Sequence, residues 1–317
     1  MSGVVLLGLG GTISMLETPC GAKPFRDAGT LADQVGGFAA AEDLALVGGS
    51  EVDFELLERL VSRCERLVAT GVAGIVVTTG TDSIEEVSVW LAYRRNWPVP
   101  IAVTGAMVTG GRPDSDGPAN LADARFVAAS GIDTDPVVVF GGSVFAAREV
   151  LKVSGTAREA FGAPGRGTLA IVGNGEIHWY RRLARRGAHA APSAPIRPVP
   201  IVTAALGDDG RVLAVIGEGQ PAVVVAANGA GNLPPAQAVA AERLLEAGTL
   251  VVITTRAPDA RVAPRYGYRG GGAGLSAAGA QFASGLSPHR ARLLLSLGIA
   301  QGLDRNGLRA LVETESE

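Results

Sequence analysis

Short apolar runs alternate with amphipathic segments along the first half of the chain. Four runs have the length and composition of buried strands: VVLL (4–7), GIVVTT (74–79), PIAVTG (100–105) and PVVVF (136–140). Between them, apolar residues recur three or four positions apart, the spacing of an amphipathic helix, over residues 53–70, 83–96 and 118–130. Continuous apolar strands separated by such helices are typical of a mainly parallel sheet with helices on both faces. The pattern therefore predicts an α/β fold for this half of the chain.

The regular pattern stops at residues 183–198, LARRGAHAAPSAPIRP, which are rich in Pro, Ala and Arg. Beyond this stretch the alternation of strand-like and helix-like segments starts again: IVTAAL (201–206), AVVVAAN (222–228), PAQAVAAERLLEAG (235–248), TLVVITT (249–255) and HRARLLLSLGIAQG (289–302). We predict a larger N-terminal domain over residues 1–183, a linker over residues 184–198 and a smaller C-terminal α/β domain over residues 199–317.

Composition narrows the class of protein. A chain of 317 residues is about twice the usual domain length, in keeping with two domains. A net charge of −3 gives no electrostatic basis for nucleic-acid binding.

No apolar segment approaches the ~20 residues that span a bilayer, and the N-terminus lacks the pattern of a signal peptide, so we expect a cytoplasmic protein with no membrane partner. The two cysteines and three histidines form no metal or redox motif.

Three predicted strands end in polar loops: GLGGT (8–12), TTGTD (78–82) and TGAM (104–107). The first loop has the Gly-x-Gly spacing of a dinucleotide fingerprint, but Ile13 stands where the third glycine belongs, and no helix pattern follows. The Gly-Lys-Ser/Thr of a phosphate-binding loop is also missing. We therefore expect no nucleotide, no other cofactor and no metal. Because ligands bind beyond the carboxyl ends of strands in open α/β sheets, the three loops are expected to form one site.

The alternative use of the first loop is to present Thr12 as a nucleophile. Gly10 and Gly11 would let a substrate lie against the backbone and leave amide N–H groups free to stabilise an oxyanion. The segment from Met15 to Gly29, rich in Gly and Pro, is predicted to be a mobile loop that closes over the site. A tight turn with Thr12 as a helper hydrogen bond is the plainer interpretation.

Two further residues have competing interpretations. Asp82, with Glu85 three residues later, has the pattern of a helix capping box, although the same carboxylate could also face the site. Lys152 is one of only two lysines in a chain with 28 lysines and arginines. Lysine can lose its proton in a suitable environment whereas arginine cannot, so Lys152 is either a general base or an incidental surface residue.

Taken together, the motifs resemble the bacterial L-asparaginase family. They occur in order and at compatible separations: GGTIS (10–14), TTGTDSIEE (78–86), VTGAM (103–107), SDGPANL (115–121), AREVLK (147–152), the GNL of NGAGNLP (228–234) and HRARLLL (289–295). The resemblance covers the whole chain. It implies hydrolysis of L-asparagine to L-aspartate and ammonia through an acyl-enzyme formed on a threonine.

The resemblance also implies roles for individual residues. Its catalytic residues correspond to Thr12 as nucleophile with Thr81, Asp82 and Lys152. The residues that correspond to its substrate-binding positions are Gly11, Ser50, Thr81, Asp82, Ala106 and Asn232. Family members form homotetramers built from intimate dimers, and the resemblance implies that the C-terminal domain, through Asn232, completes the site of a neighbouring subunit.

This sequence departs from the family pattern at three places. The segment that binds the substrate α-carboxylate has Gly49 and Ser50 on one alignment, and Ser50 and Glu51 on an alignment shifted by one residue. The expected tyrosine of the mobile loop is absent, since its only aromatic residue is Phe25, which cannot donate a hydrogen bond. Residues 263–288 contain no Asp or Glu, so a carboxylate contributed from a neighbour's second domain is missing or replaced.

Alternatives therefore stay open on the same residues. A glutaminase or a broader small-amide amidohydrolase would use the same site, because one methylene changes binding by only ~1–3 kcal/mol. A non-catalytic protein that binds aspartate or asparagine is a hypothesis from a different class.

Overall fold

The computed structural model of the chain describes residues 3–259 and 261–316. It divides into two compact units, with the division between His189 and Ala190. Each unit has a sheet with parallel strands and its own hydrophobic core. The predicted α/β class is confirmed. Residues 180–200 contain no helix or strand, and the predicted linker boundaries within them stay a prediction.

The first unit contains twelve described strands and four described α-helices. The strands are β1 (Val4–Gly10), β2 (Met15–Leu16), β3 (Lys23–Pro24), β4 (Ala40–Val47), β5 (Gly74–Thr78), β6 (Ile101–Thr104), β7 (Val137–Phe140), β8 (Ser143–Ala146), β9 (Leu151–Lys152), β10 (Phe161–Gly162), β11 (Ala170–Gly173) and β12 (Glu176–Trp179). The helices are α1 (Ala28–Val35), α2 (Phe54–Ala69), α3 (Ile84–Arg94) and α4 (Gly117–Ala129). Two 3₁₀ turns, Thr12–Ser14 and Gly49–Glu51, follow β1 and β4.

Eight strands form the large sheet in the order β12-β11-β8-β7-β6-β5-β1-β4. The strands from β7 to β4 are parallel, and β8, β11 and β12 extend the sheet in antiparallel fashion. The chain leaves β1 towards β4 on one side and leaves β5 towards β6 on the other, so the sheet has its topological switch point between β1 and β5. Ligands bind at such a point, beyond the carboxyl ends of the strands.

Burial explains why the strand-like runs could be identified. Every residue of β1, β5, β6 and β7 is buried, because helices cover both faces of the sheet. The predicted strands and helices of this half are confirmed to within two residues, except that β1 extends three residues further, through Gly10. The prediction that Cys64 is buried is confirmed as well, and burial raises the pKa of its thiol.

Nine elements of the first unit were not predicted: α1 and the strands β2, β3, β4, β8, β9, β10, β11 and β12. The helix α1 begins at Ala28, inside the predicted loop, because the Asp27 side chain accepts a hydrogen bond from the Thr30 N–H (2.7 Å) and caps it. The prediction of a loop up to Gly29 is therefore wrong at its last residues. The strand β4 lies at the sheet edge and is only partly buried, so its sequence lacks a clear apolar run.

The second unit is built on a four-stranded parallel sheet. Its strands, in spatial order, are β13 (Ile201–Thr203), β14 (Ala222–Ala227), β15 (Leu250–Thr255) and β16 (Gln281–Phe282). Its helices are α5 (Arg211–Gly217), α6 (Pro235–Glu246), α7 (Gly272–Ala277), α8 (Pro288–Ala300) and α9 (Arg305–Glu315). The segments predicted as β13, β14, α6, β15 and α8 are confirmed, whereas α5, α7, β16 and α9 were not predicted. In the described part of the chain, no helix has the length and apolarity needed to cross a bilayer.

A partly buried ion pair fastens the segment before β9. The Arg148 guanidinium lies 3.3 Å from the Asp135 carboxylate, donates to the Ala92 carbonyl and stacks on Tyr93, and its side chain is only 9% exposed. Burial raises the pKa of Asp135, while Arg148 opposes that shift. Arg148 thus favours the charged form of a partly desolvated carboxylate, close to the strand that carries Lys152.

We expect Arg148→Met to lower the free energy of unfolding by about 1–3 kcal/mol at neutral pH, because it leaves the partly buried Asp135 without its main counterion. The folded-state pKa of Asp135 would then rise further above its unfolded value. The free energy of unfolding would then fall as the pH rises from the unfolded-state pKa to the folded-state pKa of Asp135. Below the unfolded-state pKa this loss would vanish. Urea denaturation from pH 4 to pH 8 measures this, and adding Asp135→Asn should restore part of the loss at pH 8. A deficit that does not depend on pH would contradict the electrostatic explanation.

Candidate active site

Three glycines bring three loops into contact at the switch point. A Cβ atom on Gly11 would lie only 2.2 Å from the Gly80 nitrogen, and Gly11 has a positive φ of 83°. A Cβ on Gly80 would in turn lie 2.4 Å from the Gly49 Cα. The loops after β1, β4 and β5 therefore meet backbone to backbone. Only glycine permits this approach, and at Gly11 it also avoids the strain of a left-handed conformation.

Each of these glycines is followed directly by a hydroxyl residue: Thr12, Ser50 or Thr81. Thr81 is buried, Thr12 is partly buried and Ser50 is exposed. Because the three glycines are in contact, the backbones of the three hydroxyl residues that follow them lie close together. The Thr12 hydroxyl forms no hydrogen bond with any residue in the described part of the chain.

The contact between Gly49 and Gly80 also bears on the two possible alignments of the loop after β4. The Glu51 carboxylate accepts the Gly48 N–H at 2.7 Å, so it is committed within its own turn. Gly49 packs on Gly80, and Ser50 makes no hydrogen bond among residues 3–259 and 261–316. This geometry favours the alignment with Gly49 followed by Ser50, although the role of Ser50 stays a prediction.

The N–H of Gly11 is not free, contrary to the expectation that this loop leaves it for an oxyanion. It donates to the Val47 carbonyl at 2.8 Å, because β1 is paired with β4 as far as Gly10 and Val47. The next N–H, on Thr12, begins the 3₁₀ turn and forms no hydrogen bond within the described residues. The glycines therefore serve close packing between loops, and any oxyanion donor of this loop must come from Thr12 or beyond.

Lys152 joins two of the predicted catalytic side chains. Its Nζ lies 2.8 Å from Thr81 Oγ1 and 2.6 Å from Asp82 Oδ1. The Lys152 side chain is 17% exposed, whereas that of Asp82 is 70% exposed. The backbone N–H of Lys152 donates to Glu85 at 3.3 Å, which ties β9 to the start of α3. A hydroxyl, a partly buried amine and a carboxylate open to solvent thus lie in one hydrogen-bonded chain.

The capping interpretation of Asp82 is wrong. The N-cap position of α3 is Ser83, one residue later, and its side chain makes no capping hydrogen bond. Ser83 Oγ lies instead 3.0 Å from Thr79 Oγ1 and 3.1 Å from the Gly80 carbonyl. Because Ser83 fastens the turn, Asp82 can point its carboxylate at Lys152.

The loop after β6 is held by two residues that were not singled out from the sequence, although they lie in the quoted SDGPANL motif. The Asp116 carboxylate accepts the N–H groups of Met107 and Val108 at 2.9–3.1 Å. Asn120 donates to the Gly105 carbonyl at 3.0 Å and accepts the Gly141 N–H at 2.9 Å.

The same loop brings Ala106 towards the switch point. A Cβ on the preceding residue, Gly105, would lie 2.6 Å from the Thr79 carbonyl oxygen. Ala106 itself is fully buried in the core cluster that also contains Ile13, the residue after Thr12. The loop after β6 therefore packs against both threonine loops.

The segment after the Thr12 turn forms a short hairpin, β2 paired with β3. Its first strand is followed by Glu17, whose carboxylate accepts the Thr109 hydroxyl at 2.9 Å, and Arg26 donates to the Gly110 carbonyl at 2.9 Å. The hairpin is thus fastened to the loop after β6. Phe25 is 59% exposed, so its ring is not packed over the site.

Asn232 lies in the second unit, at the turn after β14. Its side-chain oxygen accepts the Gly272 N–H at the start of α7, at 3.2 Å. A backbone bridge to Asn228 closes the turn. The structure thus gives Asn232 a local role, and its predicted contribution to a neighbouring subunit stays a prediction.

Family models for the two halves of asparaginases match nearly the whole chain. "Asparaginase, N-terminal" matches residues 3–185, and "Glutaminase/Asparaginase C-terminal domain" matches residues 198–312.

Several curated relatives are similar over most of their length. A "Probable L-asparaginase" of Deinococcus radiodurans is 39% identical over 80% of this chain and 79% of its own. An "L-asparaginase" of Bacillus licheniformis is 30% identical over 94% and 95%. A "Glutaminase-asparaginase" of Pseudomonas fluorescens is 30% identical over 80% of this chain and 75% of its own.

Solved structures share the fold. The crystal structure of a probable cytoplasmic L-asparaginase from Campylobacter jejuni matches with a TM-score of 0.84 and 25% identity, covering 99% of both chains. Both family models and the structural comparison thus match asparaginases. The chain belongs to the bacterial L-asparaginase family.

Proposed function

We propose that this chain hydrolyses L-asparagine to L-aspartate and ammonia through an acyl-enzyme on Thr12. The observation that carries the proposal is the hydrogen-bonded chain of Thr81, Lys152 and Asp82, which lies beside the Thr12 turn at the switch point of the sheet. The named L-asparaginases among the relatives support the choice of substrate.

Thr12 Oγ1 attacks the side-chain amide carbon of asparagine. A C–O bond forms, the C–N bond breaks, and the nitrogen leaves as ammonia after it takes up a proton. Water then attacks the resulting ester, the bond to Thr12 breaks, and the threonine recovers its proton. The lack of a hydrogen-bond partner for the Thr12 hydroxyl in the described residues suits this role, since no protein group holds it away from a substrate.

Lys152 moves the protons that these two steps require. In its neutral form, once its proton has been released to solvent, Lys152 can take the proton of the Thr81 hydroxyl, and Thr81 then activates either the nucleophile or the hydrolytic water. Asp82 is well exposed, so solvent reaches this end of the hydrogen-bonded chain. The short contacts allow each transfer without rearrangement of the side chains.

Substrate recognition uses the polar groups around the hydrogen-bonded chain of Thr81, Lys152 and Asp82. Asp82 binds Lys152 through one oxygen, and its second oxygen can accept the α-ammonium group. Ser50, exposed after Gly49, can donate to the α-carboxylate. The backbone at Gly11 and Ala106 borders the amide, and the N–H of Thr12 is a donor for the oxyanion.

A glutaminase is the second candidate, favoured by the relative named glutaminase-asparaginase. The two substrates differ by one methylene, and we expect asparagine to be preferred in kcat/KM by about 10- to 150-fold. Ammonia release from L-Asn, D-Asn, L-Gln and small peptides measures the preference. Equal rates with asparagine and glutamine would favour a broad amidohydrolase, and tight calorimetric binding of asparagine without turnover would favour a binding protein.

The proposal includes a homotetramer of intimate dimers in which Asn232 completes a neighbouring site. The supporting observation is an exposed apolar face on α5, where Val212, Val215 and Ile216 are 42–71% exposed. Such a face is more typical of subunit contacts than of free surface. Light scattering measures the assembly, and a monomer with full activity would contradict this part of the proposal.

A cytoplasmic location also belongs to the proposal, supported by the structural relative described as probably cytoplasmic. Cell fractionation tests it directly.

A further inference from the structure

The second unit contains a cavity of about 490 Å³ between α5 and α6, outside the site described above. Val239 and Arg243 line it from one face of α6, four residues apart, and Ala214 lines it from α5. Arg269, in the segment before α7, closes another side. This volume lies in the range of pockets that hold small organic molecules.

Positive charge in this cavity is not balanced. Three guanidinium groups and one carboxylate line it, those of Arg211, Arg243, Arg269 and Asp209. Asp209 is committed to Arg211, because its two oxygens accept the Arg211 Nε at 2.6 Å and the Arg211 N–H at 3.1 Å. That backbone N–H also lowers the pKa of Asp209, which keeps the carboxylate charged.

Arg243 and Arg269 have no such counterion. In the part of the chain that the structure describes, neither side chain forms a hydrogen bond, an ion pair or a ring contact. This contrasts with the arginines of the first unit that pair with carboxylates, such as Arg63 with Glu42 and Arg94 with Glu58. Two unopposed guanidinium groups around one concave surface attract anions, and their planar donors fit carboxylate and phosphate oxygens.

The rest of the lining is apolar. Ala214, Val239 and the neighbouring alanine and proline side chains of α6 contribute most of it, and they offer no hydrogen bonds to a ligand. The lining thus suits a molecule with a charged end and a small apolar body. An amino acid fits poorly, because its ammonium group would find only the carboxylate that Arg211 already holds.

We propose that this cavity is a second binding site, for a small organic anion whose carboxylate or phosphate group binds Arg243 and Arg269 and whose apolar body packs on α5 and α6. None of the residues that line the cavity takes part in the proposed threonine chemistry.

Isothermal titration of the full chain with phenyl phosphate tests the proposal. We expect a Kd of about 1 mM or tighter. Inorganic phosphate should bind more weakly, because it lacks the apolar body, and benzylamine should not bind, because its charge is positive. The double variant Arg243→Gln/Arg269→Gln should weaken phenyl phosphate binding by about tenfold or more.

The matched control is Arg197→Gln, which removes another exposed and unpaired arginine of the same unit, outside the cavity. It should leave the Kd unchanged. The substituted side chains are exposed, and an unchanged circular dichroism spectrum and Tm will show that the double variant is folded. Absence of binding by phenyl phosphate, or equal binding by the double variant, would overturn the proposal; equal binding would place the anion elsewhere on the protein.

Discussion

Thr12→Ala is expected to abolish ammonia release from asparagine, with kcat falling by about 10³-fold or more. The substitution removes the only atom that the proposed mechanism attaches to the substrate, and the remaining groups can only bind and polarise the amide. Thr12 is partly buried and its hydroxyl bonds to no described residue, so the fold loses little when it is truncated. Steady-state kinetics and a thermal melt of the same preparation separate the two effects.

Two further substitutions sharpen this result. Thr12→Ser keeps a hydroxyl and should retain measurable activity. Thr78→Val is the control, since Thr78 lies in the neighbouring TTGT motif but its buried hydroxyl has no hydrogen-bond partner in the described structure. Replacing Thr78 should leave kcat unchanged and raise the free energy of unfolding by about 1 kcal/mol, because a buried polar group without a partner is removed. Full activity in Thr12→Ala would remove Thr12 from the nucleophile role.

Lys152→Met should lower kcat by about 10²- to 10⁴-fold, the usual contribution of a general acid–base group. The variant keeps the length of the side chain and removes the amine that contacts Thr81 and Asp82. We expect KM to change less than kcat, because the second Asp82 oxygen, which is proposed to bind the α-ammonium group, is not removed. Single-turnover measurements would show whether acylation or hydrolysis of the ester is slowed.

Lys152→Arg distinguishes proton transfer from simple charge. Arginine keeps the positive charge next to Asp82 but cannot lose a proton in proteins. If Lys152 transfers protons, the Arg variant should be nearly as slow as the Met variant, and recovery of most activity by Arg would show a purely electrostatic role. Lys23→Met is the matched control, because Lys23 is the one other lysine and is exposed on the hairpin.

Much of the fold could be predicted from the sequence because its central strands are buried on both faces. Continuous runs of Val, Ile and Leu leave little alternative to a covered parallel strand. The edge strand β4 and the helix α1 were missed for the opposite reason. β4 is only half covered, and α1 depends on a single capping side chain, Asp27, within a segment rich in Gly and Pro.

The site was predictable where chemistry depends on residue type, and less so where it depends on hydrogen-bond partners. The motifs identified Thr81, Asp82 and Lys152, and the structure brings these three together. That the Gly11 N–H would be taken by Val47 could not be read from the sequence, because it depends on the register between β1 and β4. The anchoring by Asp116 likewise needs the path of the loop after β6.

The hairpin of β2 and β3 makes the unmodified chain convenient for fluorescence work. A maleimide dye would attach at Cys20, in the turn of the hairpin, because Cys20 is exposed whereas Cys64 is buried and its thiol pKa is raised by burial. Among the lysines, amine-reactive reagents would modify Lys23 on the same hairpin before the shielded Lys152. The preferred cysteine and the preferred lysine therefore both lie in the segment next to the proposed nucleophile. A dye at Cys20 would therefore test whether this hairpin moves during turnover, without engineering a single residue.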